Sequence, residues 1–297
     1  MGALTPPRIE KDVVLPDDRR LGVAEFGPVR GRPIVWLHGT PGGRRQIPEL
    51  LRRVLHAEDV RLIVVERPGY GSSTPHAYDD VRGFTRDVEH LVDALGVDRL
   101  GVAALSGGGP YALAIAHELG ERVNAVAVLG GVAPHVGSDA APGGLVGLLS
   151  PLGGVAKALS GPLGRLLSGI VQVSSPVSSA VFDVSTRVFP PGDRRVFADP
   201  LMKAMFIDDL IRSARGGLPG PALDFRLFVR HWGFELGALE HPVYFWQGDA
   251  DPIVTLEQAR IMVGRVQRGE LIVRPGESHL GGFALADDAV KAILSHW

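Results

Sequence analysis

The sequence predicts an α/β protein built on a mostly parallel, eight-stranded sheet with helices on both faces. Three observations predict it. Short apolar runs alternate with segments of helical periodicity at both ends of the chain, as a parallel sheet with crossover helices requires. One run, Leu100 to Leu105, breaks at a serine set among small residues, and helix-forming sequence follows at once. The alternation stops between about Pro134 and Glu240 and then resumes, which marks an insertion after the sixth strand.

The elements follow in order. Val13 to Leu15 and Leu21 to Phe26 are two early strands around an Asp17-Asp18 turn. Arg32 to Leu37 is the third strand, Pro48 to His56 a short helix, and Arg61 to Glu66 the fourth strand, ending in a Pro68-Gly-Tyr-Gly71 turn. From Val81 to Leu95, the apolar residues Val81, Phe84, Val88, Leu91, Val92 and Leu95 fall on one helix face, and Gly96 ends the helix. Leu100 to Leu105 is the fifth strand, with a helix over Tyr111 to Leu119, and Val123 to Leu129 is the sixth. Pro242 to Gly248 and Glu270 to Val273 are the last strands; Leu256 to Val266 and Ala284 to Leu294 are the last helices. Residues 1–134 and 241–297 therefore form the core domain, and 135–240 the insertion.

A serine hydroxyl is a poor nucleophile until a base takes its proton, and a histidine near neutrality can take that proton and return it. Ser106 has the setting such a nucleophile needs. A sharp strand-to-helix turn strains the serine backbone and admits only small residues two positions to either side, here Ala104 and Gly108. In this nucleophile-elbow arrangement an acid and then a histidine follow in chain order, each on a loop after a later strand. The seventh strand runs into Gly248-Asp-Ala-Asp-Pro252 and the eighth into Arg274-Pro-Gly-Glu-Ser-His279. His279 is the candidate base, and Asp251 or Asp249 the acid that fixes its tautomer. Among the other histidines, His56, His90 and His117 fall in helical segments and His296 lies next to the last residue. Acyl transfer also needs preorganised donors for an oxyanion. Gly107, after the serine, and Thr40, in the loop after the third strand, offer backbone N–H groups; Pro41 has none. His38 reads as a brace for that loop, and Arg67 as a brace paired with Glu66.

Five motifs occur in one order: His38-Gly-Thr-Pro-Gly-Gly43, Glu66-Arg-Pro-Gly-Tyr-Gly-Ser-Ser73, Ala104-Leu-Ser-Gly-Gly108, Gly248-Asp-Ala-Asp251 and Gly276-Glu-Ser-His279. Together they resemble the α/β-hydrolase fold family over nearly the whole chain outside the insertion. The resemblance implies a serine hydrolase with Ser106, Asp251 and His279 as catalytic residues, Thr40 and Gly107 as oxyanion donors, and no metal or organic cofactor. The family's Gly-x-x-Asp spacing favours Asp251 over Asp249. Members that use Asp as nucleophile, the haloalkane dehalogenases and epoxide hydrolases, are disfavoured by Ser106. The resemblance also implies that residues 135–240 are a helical cap that covers the nucleophile and excludes water.

Composition agrees with this class. The 297 residues, 45% of them hydrophobic, suffice for a large core. A net charge of −2 leaves no footprint for nucleic acid. Without cysteine no disulfide forms. No signal peptide or C-terminal anchor is read, so a cytoplasmic protein is expected. The apolar stretch Gly143 to Val173 is interrupted by Pro151, Lys157, Pro162 and Arg165, whereas a membrane span needs about 20 continuous apolar residues. Lid helices are expected there, and a Ser/Pro hinge over Ser174 to Ser179. Gly107 to Gly109 lack the spacing and lysine of a phosphate loop.

The expected activity is hydrolysis of a small-molecule carboxylic ester through an acyl-serine. Alternatives with the same three residues are an aminopeptidase of the proline iminopeptidase type, a carbon–carbon bond hydrolase and a cofactor-free perhydrolase. A receptor that does not turn its ligand over is an alternative of another class. The His38 motif resembles the His-Gly-Gly-Pro-Gly of proline iminopeptidases, but the elbow lacks their Trp after Ser. Asp208 and Asp209 are the candidate acceptors for a peptide amine.

Overall fold

The computed structural model describes residues 4–152, 189–214 and 219–297. Its strands are β1 (Ile9–Val14), β2 (Arg20–Phe26), β3 (Arg32–Leu37), β4 (Val60–Val65), β5 (Leu100–Leu105), β6 (Val123–Leu129), β7 (Pro242–Gly248) and β8 (Arg268–Arg274). They form one sheet in the order β1-β2-β4-β3-β5-β6-β7-β8. β1 pairs antiparallel with β2, and β2 antiparallel with β4; every other pairing is parallel. The interior strands match their apolar runs. The two edge strands, β1 and β8, are longer than those runs, because an edge strand is half exposed and accepts charged residues that hide its pattern.

Successive side chains of a strand point to opposite faces, and so the sheet carries two cores. Val35 and Leu37 join one, beneath α2 (Thr85–Ala94), α3 (Gly109–Leu119) and the helix Leu256–Arg265. Ile34 and Trp36 join the other, beneath α1 (Glu49–Val54) and the helix Ala286–Leu294. Among the described residues, α4 (Gly144–Leu149), α5 (Pro191–Ala198), α6 (Pro200–Ser213) and α7 (Pro219–Phe228) lie between β6 and β7, and α8 (Leu256–Arg265) and α9 (Ala286–Leu294) follow β7 and β8 respectively. Lys157, Pro162, Arg165 and the run Ser174 to Ser179 lie outside the described residues. Among the described residues no helix is long and apolar enough to cross a membrane.

The strand order positions the site. β3 and β5 are parallel neighbours with Leu37 opposite Ala104. Thr40 and Gly107 each lie three residues past that pair, so the two loops emerge side by side at one end of the sheet. β7 and β8 deliver the acid and histidine loops at the same end.

Candidate active site

Ser106 sits at φ +50°, one of three non-glycine residues with positive φ among the described residues. A backbone held there costs about 1–3 kcal/mol and persists only where its surroundings fix it. The amides of Gly109 and Val132 both donate to the Ser106 carbonyl, the latter at 3.1 Å. Gly108 meets the expectation of a small residue: a Cβ there would lie 2.6 Å from the Leu37 carbonyl oxygen and 2.9 Å from that of His38.

The structure brings Ser106, His279 and Asp251 together, all three buried. The Ser106 hydroxyl donates to Nε2 of His279 at 2.8 Å, and Nδ1–H of His279 donates to Oδ2 of Asp251 at 2.8 Å. Asp251 is held in one orientation. Its Oδ1 accepts the amides of Ile253 and Val254 at 2.8 and 3.0 Å, and its Oδ2 accepts Nε2 of Gln247 at 2.8 Å. Burial works against a charge on His279, but the neighbouring Asp251 charge, its hydrogen bond and the Asp193 charge outweigh it, so the imidazole pKa is raised. Asp249 is spent elsewhere, accepting the Gly276 amide at 2.7 Å and tying the two loops together.

Thr40 and Gly107 are in contact: a Cβ on Gly107 would collide with the Thr40 side chain and lie 2.9 Å from Cζ of Phe228. The Thr40 amide has no acceptor among the described residues, and the Gly107 amide lies in the first turn after β5, where a helix supplies none. Thr40 and Gly107, two residues in contact, thus carry amides with no acceptor among the described residues. His38 is the brace its position suggests. Its Nδ1–H donates to the Gly39 carbonyl at 2.7 Å and its Nε2 accepts the Arg67 amide at 3.1 Å. Burial and the Arg67 charge hold its pKa well below the ordinary value, so the ring stays neutral.

A sequence model of the alpha/beta hydrolase fold matches residues 32–283. The chain belongs to the α/β-hydrolase family. This α/β hydrolase is 40% identical over 105 residues to a proline iminopeptidase of Xanthomonas citri, a match covering 34% of this chain and 33% of that protein. It is 31% identical over 105 residues to a 2-hydroxy-6-oxo-6-phenylhexa-2,4-dienoate hydrolase of Burkholderia cepacia, covering 34% and 37%. The chain thus spans about a third of the length of the curated relatives it matches. An esterase from a Rhodococcus species superimposes with a TM-score of 0.69 at 18% identity over 97% of this chain and 99% of that one. An esterase from Exiguobacterium antarcticum does so with a TM-score of 0.68 at 20% identity, covering 97% and 98%. Identities this low report the fold alone.

The α/β hydrolase departs from the sequence expectation at Arg67. Its partner is not Glu66, because adjacent residues of an extended chain point to opposite sides. Glu66 turns toward the Ser72 amide at 3.0 Å and Arg44 at 3.7 Å. Arg67, fully buried, grips Asp224 of α7 through Nε and Nη2 at 2.7–3.2 Å. Asp224 was not legible as a site residue, since one acid in an amphipathic helix is ordinary. Gln247 was missed too, although a polar residue ending the apolar strand Val243 to Trp246 was a usable signal.

Asp208 and Asp209 have other partners. Asp208 accepts Arg212 at 2.9 Å and Arg45 at 3.3 Å. Asp209 accepts the Arg45 amide at 3.0 Å, and burial pushes its pKa up to about 7. No group of three or more His, Asp or Glu side chains among the described residues is arranged to hold a metal ion. A surface cavity of about 630 Å³ at Arg19, His76, Tyr78 and Asp87 does not include Ser106 or His279. Arg19 and Asp87 pair with each other there at 2.7 Å.

Proposed function

We propose that this α/β hydrolase cleaves carboxylic esters of small molecules through an acyl-serine intermediate. The observation that carries the reading is the unbroken line from Ser106 through His279 to Asp251, each link 2.8 Å, beside two adjacent unspent amides. His279 takes the Ser106 proton at Nε2 as Oγ attacks the ester carbonyl carbon. The N–H groups of Thr40 and Gly107 stabilise the oxyanion, and Asp251 holds the tautomer and the imidazolium. Collapse breaks the carbon–oxygen bond to the alcohol, which leaves with the proton from His279. Water then gives a proton to His279 and attacks the acyl group. The acid departs and Ser106 recovers its proton. In this reading residues 135–240 cap a core of 1–134 and 241–297, and the enzyme works in the cytoplasm without a cofactor.

The local likeness to a proline iminopeptidase favours a second reading, aminopeptidase action. Asp208 and Asp209 are engaged by other groups, but Asp193 is a buried carboxylate close enough to His279 and Asp251 to feel their charge. It accepts the Leu280 amide through Oδ1, and in this second reading it is the carboxylate near His279 that a substrate amine would meet. Turnover of p-nitrophenyl esters of increasing acyl length and of proline p-nitroanilide, each with Ser106→Ala, separates the two. Ester turnover abolished by the substitution supports the first reading, and anilide turnover without ester turnover supports the second. Turnover unchanged in Ser106→Ala sinks both.

A further inference from the structure

We infer that Asp224 is a positioning residue for the oxyanion donors: from α7 it fixes Arg67 and Thr40 so that the Thr40 amide stays directed at the substrate carbonyl oxygen. The inference rests on the ester-hydrolase reading above.

Asp224 is 2% exposed, yet accepts from five groups in three segments that build the site. Thr40 donates its hydroxyl at 2.6 Å from the loop after β3. Arg67 Nε and Nη2 and the Tyr70 hydroxyl, the last at 2.7 Å, come from the loop after β4. The Tyr111 hydroxyl donates at 2.7 Å from α3, the helix that Ser106 leads into. Arg67 itself lies between the rings of Tyr70 and Tyr111, 5.3 and 5.1 Å from their centroids. Docking a helix does not need such a network, since apolar side chains of equal volume would serve as well or better.

Arg67 carries the restraint onward. Its Nη2 donates to the Gly39 carbonyl at 3.1 Å and its Nη1 to the His38 carbonyl, while His38 Nδ1–H also donates to Gly39. The Gly39–Thr40 peptide is trans and planar, so its C=O and N–H point in opposite directions. Pinning the carbonyl toward Arg67 turns the Thr40 N–H to the other side, where no described residue accepts it. The Thr40 hydroxyl is drawn to Asp224 and to Arg67, the latter at 2.9 Å, and so does not enter the oxyanion site. One turn beyond Asp224, Phe228 lies against Gly107. α7 therefore bears on both amides at once.

The test is steady-state kinetics with p-nitrophenyl acetate, and inhibition by phenylboronic acid, which forms a tetrahedral adduct on an active serine. The proteins compared are the full chain, Asp224→Asn and Thr40→Val. Losing an oxyanion donor outright costs about 100-fold or more in kcat, so misdirecting one is expected to cost roughly tenfold or more. KM should hold within about twofold, and boronate affinity should fall by the same factor as kcat. If Asp224 merely docks the helix, Asp224→Asn lowers Tm but leaves the kcat of the folded enzyme and the boronate affinity unchanged, and the inference is overturned. A raised KM with unchanged kcat overturns it as well. Should Asp224→Asn fail to fold, Thr40→Val, which keeps the Asp224–Arg67 pair, decides by the same criteria. Absence of Ser106-dependent ester turnover in the unsubstituted chain would instead end the underlying reading.

Discussion

Asp193 accepts the amide of Leu280, the residue after His279, at 2.8 Å. The bond joins α5 to the histidine loop and sets a carboxylate close to the imidazole. Its charge is one of those that raise the His279 pKa.

Asp193→Asn keeps an acceptor for the Leu280 amide and removes the charge. A general base works only when neutral, so kcat/KM rises with pH through the His279 pKa. Losing a neighbouring negative charge lowers that pKa. The acidic limb of the kcat/KM profile for ester hydrolysis is expected to move to lower pH in Asp193→Asn. A limb that stays in place, or moves up, would show that Asp193 does not act on His279.

Asp251 and Asp249 should separate sharply. Asp251→Asn keeps the geometry but disfavours the required tautomer, and kcat is expected to fall by about 10³–10⁴. Asp249→Asn touches only the Gly276 amide and should leave kcat within a few-fold while costing about 1 kcal/mol of stability. Equal losses of activity in the two variants would contradict this assignment.

Asp209 gives stability a pH dependence. Its carboxyl is lifted from an ordinary 3.8 to about 7 in the folded state, so the native protein holds that proton more tightly than the unfolded chain. The stabilising contribution is full below 3.8, declines as pH rises, and is lost above about 7. Asp209→Asn, which still accepts the Arg45 amide, should be more stable than the unsubstituted chain at pH 8, by roughly 1–4 kcal/mol, and nearly equal to it at pH 4. Urea midpoints at the two pH values measure this. A variant less stable at pH 8 would refute the sign.

Gly108→Ala drives a methyl group into the carbonyl oxygens of Leu37 and His38, both backbone atoms that cannot turn aside. The expected cost is roughly 1–3 kcal/mol of stability. A lower kcat should accompany it, because the displaced loop carries Thr40. Thermal unfolding and ester turnover, compared with the unsubstituted chain, report the two effects.

Much of the fold was readable because the interior strands are buried on both faces and appear as plain apolar runs; Arg32 to Leu37, Leu100 to Leu105, Val123 to Leu129 and Pro242 to Gly248 agree to the residue. β1 and β8 extend beyond their apolar runs, since edge strands carry charged residues such as Glu10, Lys11 and Glu270 that obscure the pattern. Ser106 and His279 were legible from strand–loop order, and Asp251 from its spacing after Gly248. The geometry agrees with that spacing, giving Asp251 the imidazole and Asp249 the Gly276 amide.

The periodicity, the small residues around Ser106 and the order of the loops are written in the chain, because all are properties of neighbouring residues on one strand or turn. Partners far apart along the chain meet only in the folded sheet. Arg67 meets Asp224 across 157 positions, and Ser106 meets His279 across 173. A charge or a hydroxyl carries no local signature of its partner. Burial compels it to find one, and the path of the sheet decides which side chain is within reach.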